Sequence, residues 1–133
     1  MNDHKLNYDT HLEKSHEWLI RQYFKRVRAG DLHGLLDLFS NDCVIHEPFS
    51  TSKYLTGKIE IEPFLKSAIM ANQEVQYEVK IEKESRKTDR NRVVAVIVFH
   101  KENEIKSKFT FEFEDASEGG FGRIKTLKIE FVD

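Results

Sequence analysis

Hydrophobic and polar positions divide the chain into two textures. From Thr10 to Ala29, at about 100° per residue, Leu12, Leu19, Ile20, Tyr23, Phe24 and Val27 share one side of a helical wheel. Glu13, Lys14, Glu17, Arg21, Lys25 and Arg28 take the other. The spacing predicts an amphipathic helix, opened by the capping box Thr10-x-x-Glu13 and closed by Gly30 in the left-handed C′ conformation. His16 and Tyr23 fall near the middle of the apolar stripe, whereas Trp18 points into the polar face and needs another neighbour, such as a second subunit. Asp31 can cap a short second helix in which Leu32, Leu35, Leu36 and Phe39 repeat at helical spacing, ended by Ser40-Asn41-Asp42. Cys43-Val44-Ile45-His46-Glu47 is a short β-prone run stopped by Pro48. After a loop over Phe49–Gly57, a third helix gathers Ile61, Phe64, Leu65, Ala68 and Ile69 on one face; Pro63 fits only in its first turn, where no ladder bond is lost.

The second half alternates instead. Val75, Tyr77, Val79 and Ile81 interleave with polar residues, Val93–Phe99 is continuously apolar, and Phe109, Phe111 and Phe113 alternate again. In Arg123–Val132 the apolar parity changes between Ile124 and Leu127, Ile129 and Phe131, which predicts a β-bulge near Thr126. The charged run Glu82–Arg92 and the Gly-containing stretch Asp115–Gly122 are the connections. Three helices followed by long strands predict an α+β domain: a curved antiparallel sheet wrapped as a cone around the three N-terminal helices. Such a cone encloses a pocket lined from the first helix, the short strand and the long strands, the expected place for a small ligand.

Composition narrows the function classes. With 133 residues, 21 Lys+Arg against 23 Asp+Glu and a formal net charge of −2, the chain reads as one domain over residues 11–133 behind a polar tail at residues 1–10. The two signs of charge are interspersed, so no basic face exists to neutralise a run of phosphates, and nucleic acid is not an expected partner. No apolar run approaches the ~20 residues of a membrane span, and Met1–Thr10 is too polar for a secretory signal; the expectation is a cytoplasmic protein without a membrane partner. The lone Cys43 has no internal disulfide partner, and no histidine pairs with it as in a nucleophilic site. The histidines carry no metal-ligand spacing: His11 and His16 are five apart and His46-Glu47 is not part of an HExxH motif. Neither metal nor cofactor is expected.

Several runs carry a family resemblance. Leu19–Leu32, with Ala29-Gly30-Asp31 after a helix, then Leu36-Asp37-Leu38-Phe39-Ser40-Asn41-Asp42, then His46-Glu47-Pro48, Gly57 and Ile61-x-x-Phe64-Leu65, resemble the nuclear transport factor 2-like superfamily. Within it the spacing is similar to SnoaL-like proteins and ketosteroid isomerases. The resemblance implies the cone fold, a homodimer and a small apolar ligand. It also implies roles for two residues: Tyr23 stands at the position of the tyrosine that donates to a developing oxyanion, and Glu47 at that of the carboxylate that shuttles the proton. The chemistry is intelligible, because a carboxylate desolvated in an apolar pocket is a better base for a carbon acid, while a phenol offers its proton to the enolate oxygen. The sequence departs from the isomerases at Phe109, which replaces a strand aspartate that is the second donor, and at Phe39 and Leu65, which replace network tyrosines.

Two readings therefore stand side by side. One is a cofactor-independent isomerase, lyase or cyclase acting on a small apolar carbonyl compound, with Glu47 and Tyr23 as catalytic groups. The other is a non-catalytic ligand-binding or dimerisation module of the same fold. In either, His16, Phe39, Ile45, Phe49, Leu65, Phe109 and Phe111 are the candidate ligand-binding residues. Because Val93–Phe99 is apolar on both parities, the outer face of the sheet is the expected contact in a homodimer.

Overall fold

The computed structural model describes residues 4–49, 54–82, 91–115 and 122–132, with side chains from His16 onward. Helix α1 (His4–Ala29) begins ahead of Thr10, so the expected capping box lies inside the helix rather than at its start. No Gly or Pro interrupts residues 4–10, and nothing in their composition stops the helix there. Its other end is as expected. Gly30 (φ +73°) closes a Schellman motif, with Gly30 N–H donating to Val27 C=O and Asp31 N–H to Arg26 C=O. Asp31 then caps α2 (Leu32–Asp37) by accepting the Gly34 N–H at 2.9 Å.

The second helix is shorter than its apolar repeat suggests. Phe39, read as its last stripe residue, instead begins strand β1 (Phe39–His46), where it opposes Ile124 and is fully buried. The Ser40-Asn41-Asp42 run, expected to end the helix, lies wholly within the strand. It is an out-of-register part of β1, since pairing jumps from Phe39↔Ile124 to Val44↔Thr126 while Asn41 and Asp42 stay exposed and Ser40 Oγ donates to Asp42. After β2 (Leu55–Thr56) comes α3 (Gly57–Asn72), which contains Pro63 beyond its first turn, contrary to expectation. The carbonyl that loses its donor belongs to Ile59, on a turn that faces solvent, which is what makes the proline tolerable.

Strands β3 (Gln76–Glu82), β4 (Arg92–His100), β5 (Glu104–Phe113) and β6 (Ile124–Phe131) complete a curved, unclosed six-stranded sheet in the order β2-β1-β6-β5-β4-β3. The α+β architecture is the expected one, with one correction: β1 and β6 run parallel, so the sheet is mixed. The bulge on β6 is where the parity change put it, with Glu112 opposite Thr126 and Phe113 opposite Ile124, leaving Lys125 extra. The connections at 83–90 and 116–121 lie outside the described residues.

One parity of the sheet faces the helices. Ala95, Ile97 and Phe99 of β4, Phe109, Phe111 and Phe113 of β5, and Leu127 and Ile129 of β6 pack with Leu19, Ile20, Tyr23, Phe24 and Val27 of α1 and with Ile61, Leu65 and Ile69 of α3. Burying these side chains from both layers is the main driving force for the fold. On the opposite face, Val94, Val96 and Val98 form a valine row flanked in register by Glu78, Lys80 and Glu82 of β3 and by Lys106, Lys108 and Thr110 of β5.

Candidate functional site

Between the sheet, α1 and α3 lies a cavity of about 550 Å³. Its walls come from four directions: Tyr23, Phe24 and Val27 of α1; Phe64, Ala68 and Asn72 of α3; Glu47, Pro48 and Phe49 after β1; and Phe99, Ile105, Ser107, Phe109, Ile129 and Phe131 of the long strands. Lys101, in the β4–β5 turn, stands at its edge. The lining is overwhelmingly apolar, as a site for a small apolar molecule requires.

Tyr23 is 2% exposed, and its ring is held edge-on by Phe24, Phe39, Phe109 and Phe111 at centroid distances of 4.9, 6.3, 5.9 and 6.0 Å. This aromatic collar leaves the ring little rotational freedom. Among the described residues no group is hydrogen-bonded to its hydroxyl, which is on the cavity wall. Burial raises the phenol's pKa above its ordinary value, so it stays a protonated donor at neutral pH.

Glu47 reaches the same cavity from the end of β1. It lies one residue beyond the His46↔Lys128 pair, which brings it level with Ile129, and Ile129 opposes Phe109, the wall residue against Tyr23. The phenol and the carboxylate thus address one level of the cavity from α1 and from β1. Glu47 is half-buried, and its Oε2 accepts the Phe49 N–H at 3.0 Å, which fixes the turn around Pro48. Phe49 is exposed, with its ring edge-on to Phe131 at 5.5 Å on the rim.

Tyr23, Glu47, Phe49 and Phe109 are therefore brought together. Phe39, Ile45, Leu65 and Phe111 are fully buried behind the wall and do not line this cavity; Phe39 and Phe111 act on it through the Tyr23 ring. His16 does not line it either: its ring is stacked on Phe113, at the far end of the inner face of β5. Most of the other lining residues were missed from sequence, Ser107 and Lys101 among them. Ser107 is 2% exposed with no hydrogen-bond partner among the described residues, and it is the one polar interruption of the inner-face series Ile105, Phe109, Phe111, Phe113, a signal that was available. Lys101 sits in a turn, where no periodicity points inward. Among the described residues no three His, Cys, Asp or Glu side chains are grouped to hold a metal ion.

No family model matches the sequence, and no curated protein matches it. The fold has many counterparts among solved structures. The epoxide hydrolase/cyclase-like enzyme SalBIII of pyran ring formation in salinomycin superposes with a TM-score of 0.71 at 18% identity, covering 90% of this chain and 92% of that one. An NTF-2 like protein of unknown function from Burkholderia xenovorans gives 0.66 at 15% identity, covering 91% and 85%. A steroid delta-isomerase from Pseudomonas aeruginosa gives 0.63 at 19% identity, covering 90% and 80%. At such identities the likeness concerns the backbone, and on that basis the chain has the fold of the nuclear transport factor 2-like superfamily, the one its helix-ending Ala29-Gly30-Asp31 and strand-ending His46-Glu47-Pro48 resemble.

Proposed function

We propose that the protein binds a small apolar carbonyl compound in this cavity and moves a proton on it without a cofactor. The carbonyl oxygen takes the hydrogen bond of the Tyr23 hydroxyl. Glu47 removes a proton from the adjacent carbon; the electron pair moves onto the oxygen as an enolate held by the phenol, and Glu47 returns the proton to give the isomer. The observation that carries this reading is the Tyr23 hydroxyl: carried on a buried ring, without a hydrogen-bond partner among the described residues, and open to the cavity that Glu47 also lines. A hydroxyl that faces the cavity with no protein acceptor gives its proton to a ligand oxygen without breaking an internal hydrogen bond. The cyclase-like and isomerase counterparts lend support at the level of the scaffold.

The second reading, a non-catalytic binder, is favoured by the Phe49 N–H that occupies one carboxylate oxygen of Glu47. Deuterium exchange at the α-carbons of flat aryl ketones, followed by NMR, separates the two. Exchange that is lost in Glu47→Gln supports catalysis; ligand binding without exchange supports the binder. The second part of the proposal is a homodimer through the outer sheet face, where the Val94, Val96 and Val98 row gives an apolar strip between charged strands.

A further inference from the structure

Outside the pair already used, the cavity lining holds four polar residues: Ser67 and Asn72 on α3, the first exposed and the second donating its Nδ2 hydrogen to the Ala68 carbonyl, and, at the end of the cavity toward the β4–β5 turn, Ser107 and Lys101. Ser107 is a buried residue whose hydroxyl has no hydrogen-bond partner among the described residues and opens onto the cavity. Lys101 is the only cationic side chain among the described lining residues, and no described carboxylate forms an ion pair with it. The acidic neighbour Glu104 is turned instead to His100, with Oε1 at 3.4 Å from Nδ1.

Their placement gives the cavity a direction. Ser107 precedes Phe109 on the inner face of β5 by two residues, about 7 Å toward the β4–β5 turn. It opposes Ile97, and Lys101 lies four residues past Ile97, about 13 Å along the strand, a gap that a lysine stem folded back over apolar Phe99 and Ile105 closes by about half. Glu47, the only carboxylate among the described lining residues, is on the β1 side, three strand positions from β4, on the order of 14 Å across the sheet. An anionic group on the ligand is therefore repelled from the Glu47 end and attracted to the turn end.

We infer that the ligand is a keto acid: an apolar body with its ketone at Tyr23 and Glu47 and its carboxylate between the Ser107 hydroxyl and the Lys101 ammonium. This rests on the proposed carbonyl site and adds the substrate class. A hydroxyl donor and a cation at the half-open end of an apolar cavity make a charge-assisted pair of contacts, stronger than an exposed ion pair alone.

The test uses titration calorimetry of the full chain with acetylnaphthalene and with an acetylnaphthoic acid that carries its carboxyl at the opposite end of the ring system. The acid is expected to bind about tenfold tighter than the neutral ketone at low salt, with the advantage shrinking as salt rises. Lys101→Met and Ser107→Ala should each remove most of that advantage, read as the ratio of acid to ketone affinity within each variant, and Lys101→Glu should turn it into a preference for the neutral ketone. Melting curves of the variants establish that each is folded. Equal binding of acid and ketone, or an acid preference that survives these substitutions, overturns the keto-acid assignment while leaving the carbonyl site standing. Binding of neither compound overturns both.

Discussion

The imidazole of His16 lies flat on the ring of Phe113, with centroids 4.3 Å apart and planes 6° from parallel. At 6% exposure the ring has little room for water, and desolvation lowers its pKa below the usual 6.5. The folded state therefore refuses a proton that the unfolded chain accepts. Stability is unaffected above the unfolded pKa, declines as pH falls through about 6.5, and stops declining from this cause below the folded pKa. We expect the melting temperature to fall between pH 7 and pH 5, and the fall to be smaller in His16→Phe, which keeps the stack without the titrating group. Identical pH slopes for the two proteins would remove His16 as the cause.

Tyr23→Phe separates function from stability. The hydroxyl has no partner to lose among the described residues, so folding stability should change by less than about 1 kcal/mol or improve. Proton exchange on a bound ketone should drop by about 10²–10³, the usual cost of one preorganised oxyanion donor. A variant that unfolds readily but keeps its exchange rate would reverse both assignments.

Glu47 accepts the Phe49 N–H and, in the proposed function, moves the proton; different substitutions resolve the two. Glu47→Gln retains an oxygen for the Phe49 N–H, so it should melt close to the parent while losing proton transfer. Glu47→Ala removes that acceptor and should cost about 1 kcal/mol more, read in urea midpoints.

Pro63 offers a gain. Replacing it with Ala restores the missing N–H opposite the Ile59 carbonyl in mid-helix and should stabilise the protein by about 1–3 kcal/mol, provided the helix is free to straighten. No change in melting temperature would mean that packing around α3 has adapted to the proline.

Light scattering at micromolar concentration should give twice the 15.7 kDa chain mass, and Val96→Glu should halve it. A parent protein of single-chain mass would refute the outer-face contact.

Much of this architecture was legible because its signals are local. Gly30 and Asp31 announce a helix end and a cap through side-chain and backbone chemistry that depends on no distant partner. The parity change between Ile124 and Leu127 announces the bulge for the same reason. Phe39 was misplaced because its helical spacing from Leu32, Leu35 and Leu36 is genuine, yet pairing with Ile124, far along the chain, decides its conformation. The parallel β1–β6 pairing is likewise a fact about two segments jointly. At the site, Tyr23 and Glu47 could be singled out one at a time, whereas Ser107 and Lys101 gain meaning only once the cavity is seen to lie over one end of β5.

The position of β6 governs how the molecule can be assembled. Last of the described strands in chain order, it is inserted between β1 and β5, and among the described residues no other strand joins the β1–β2 pair to the β3–β4–β5 meander within the sheet. A nascent chain emerging from a ribosome can form its helices and the β3–β5 meander early, but the wall that carries Glu47 and the wall that carries Ser107 stay unconnected until β6 arrives. The cavity is thus a late product of folding, closed by the final strand, and shortening the chain ahead of Ile124 should leave two half-sheets with open edges and a strong tendency to aggregate.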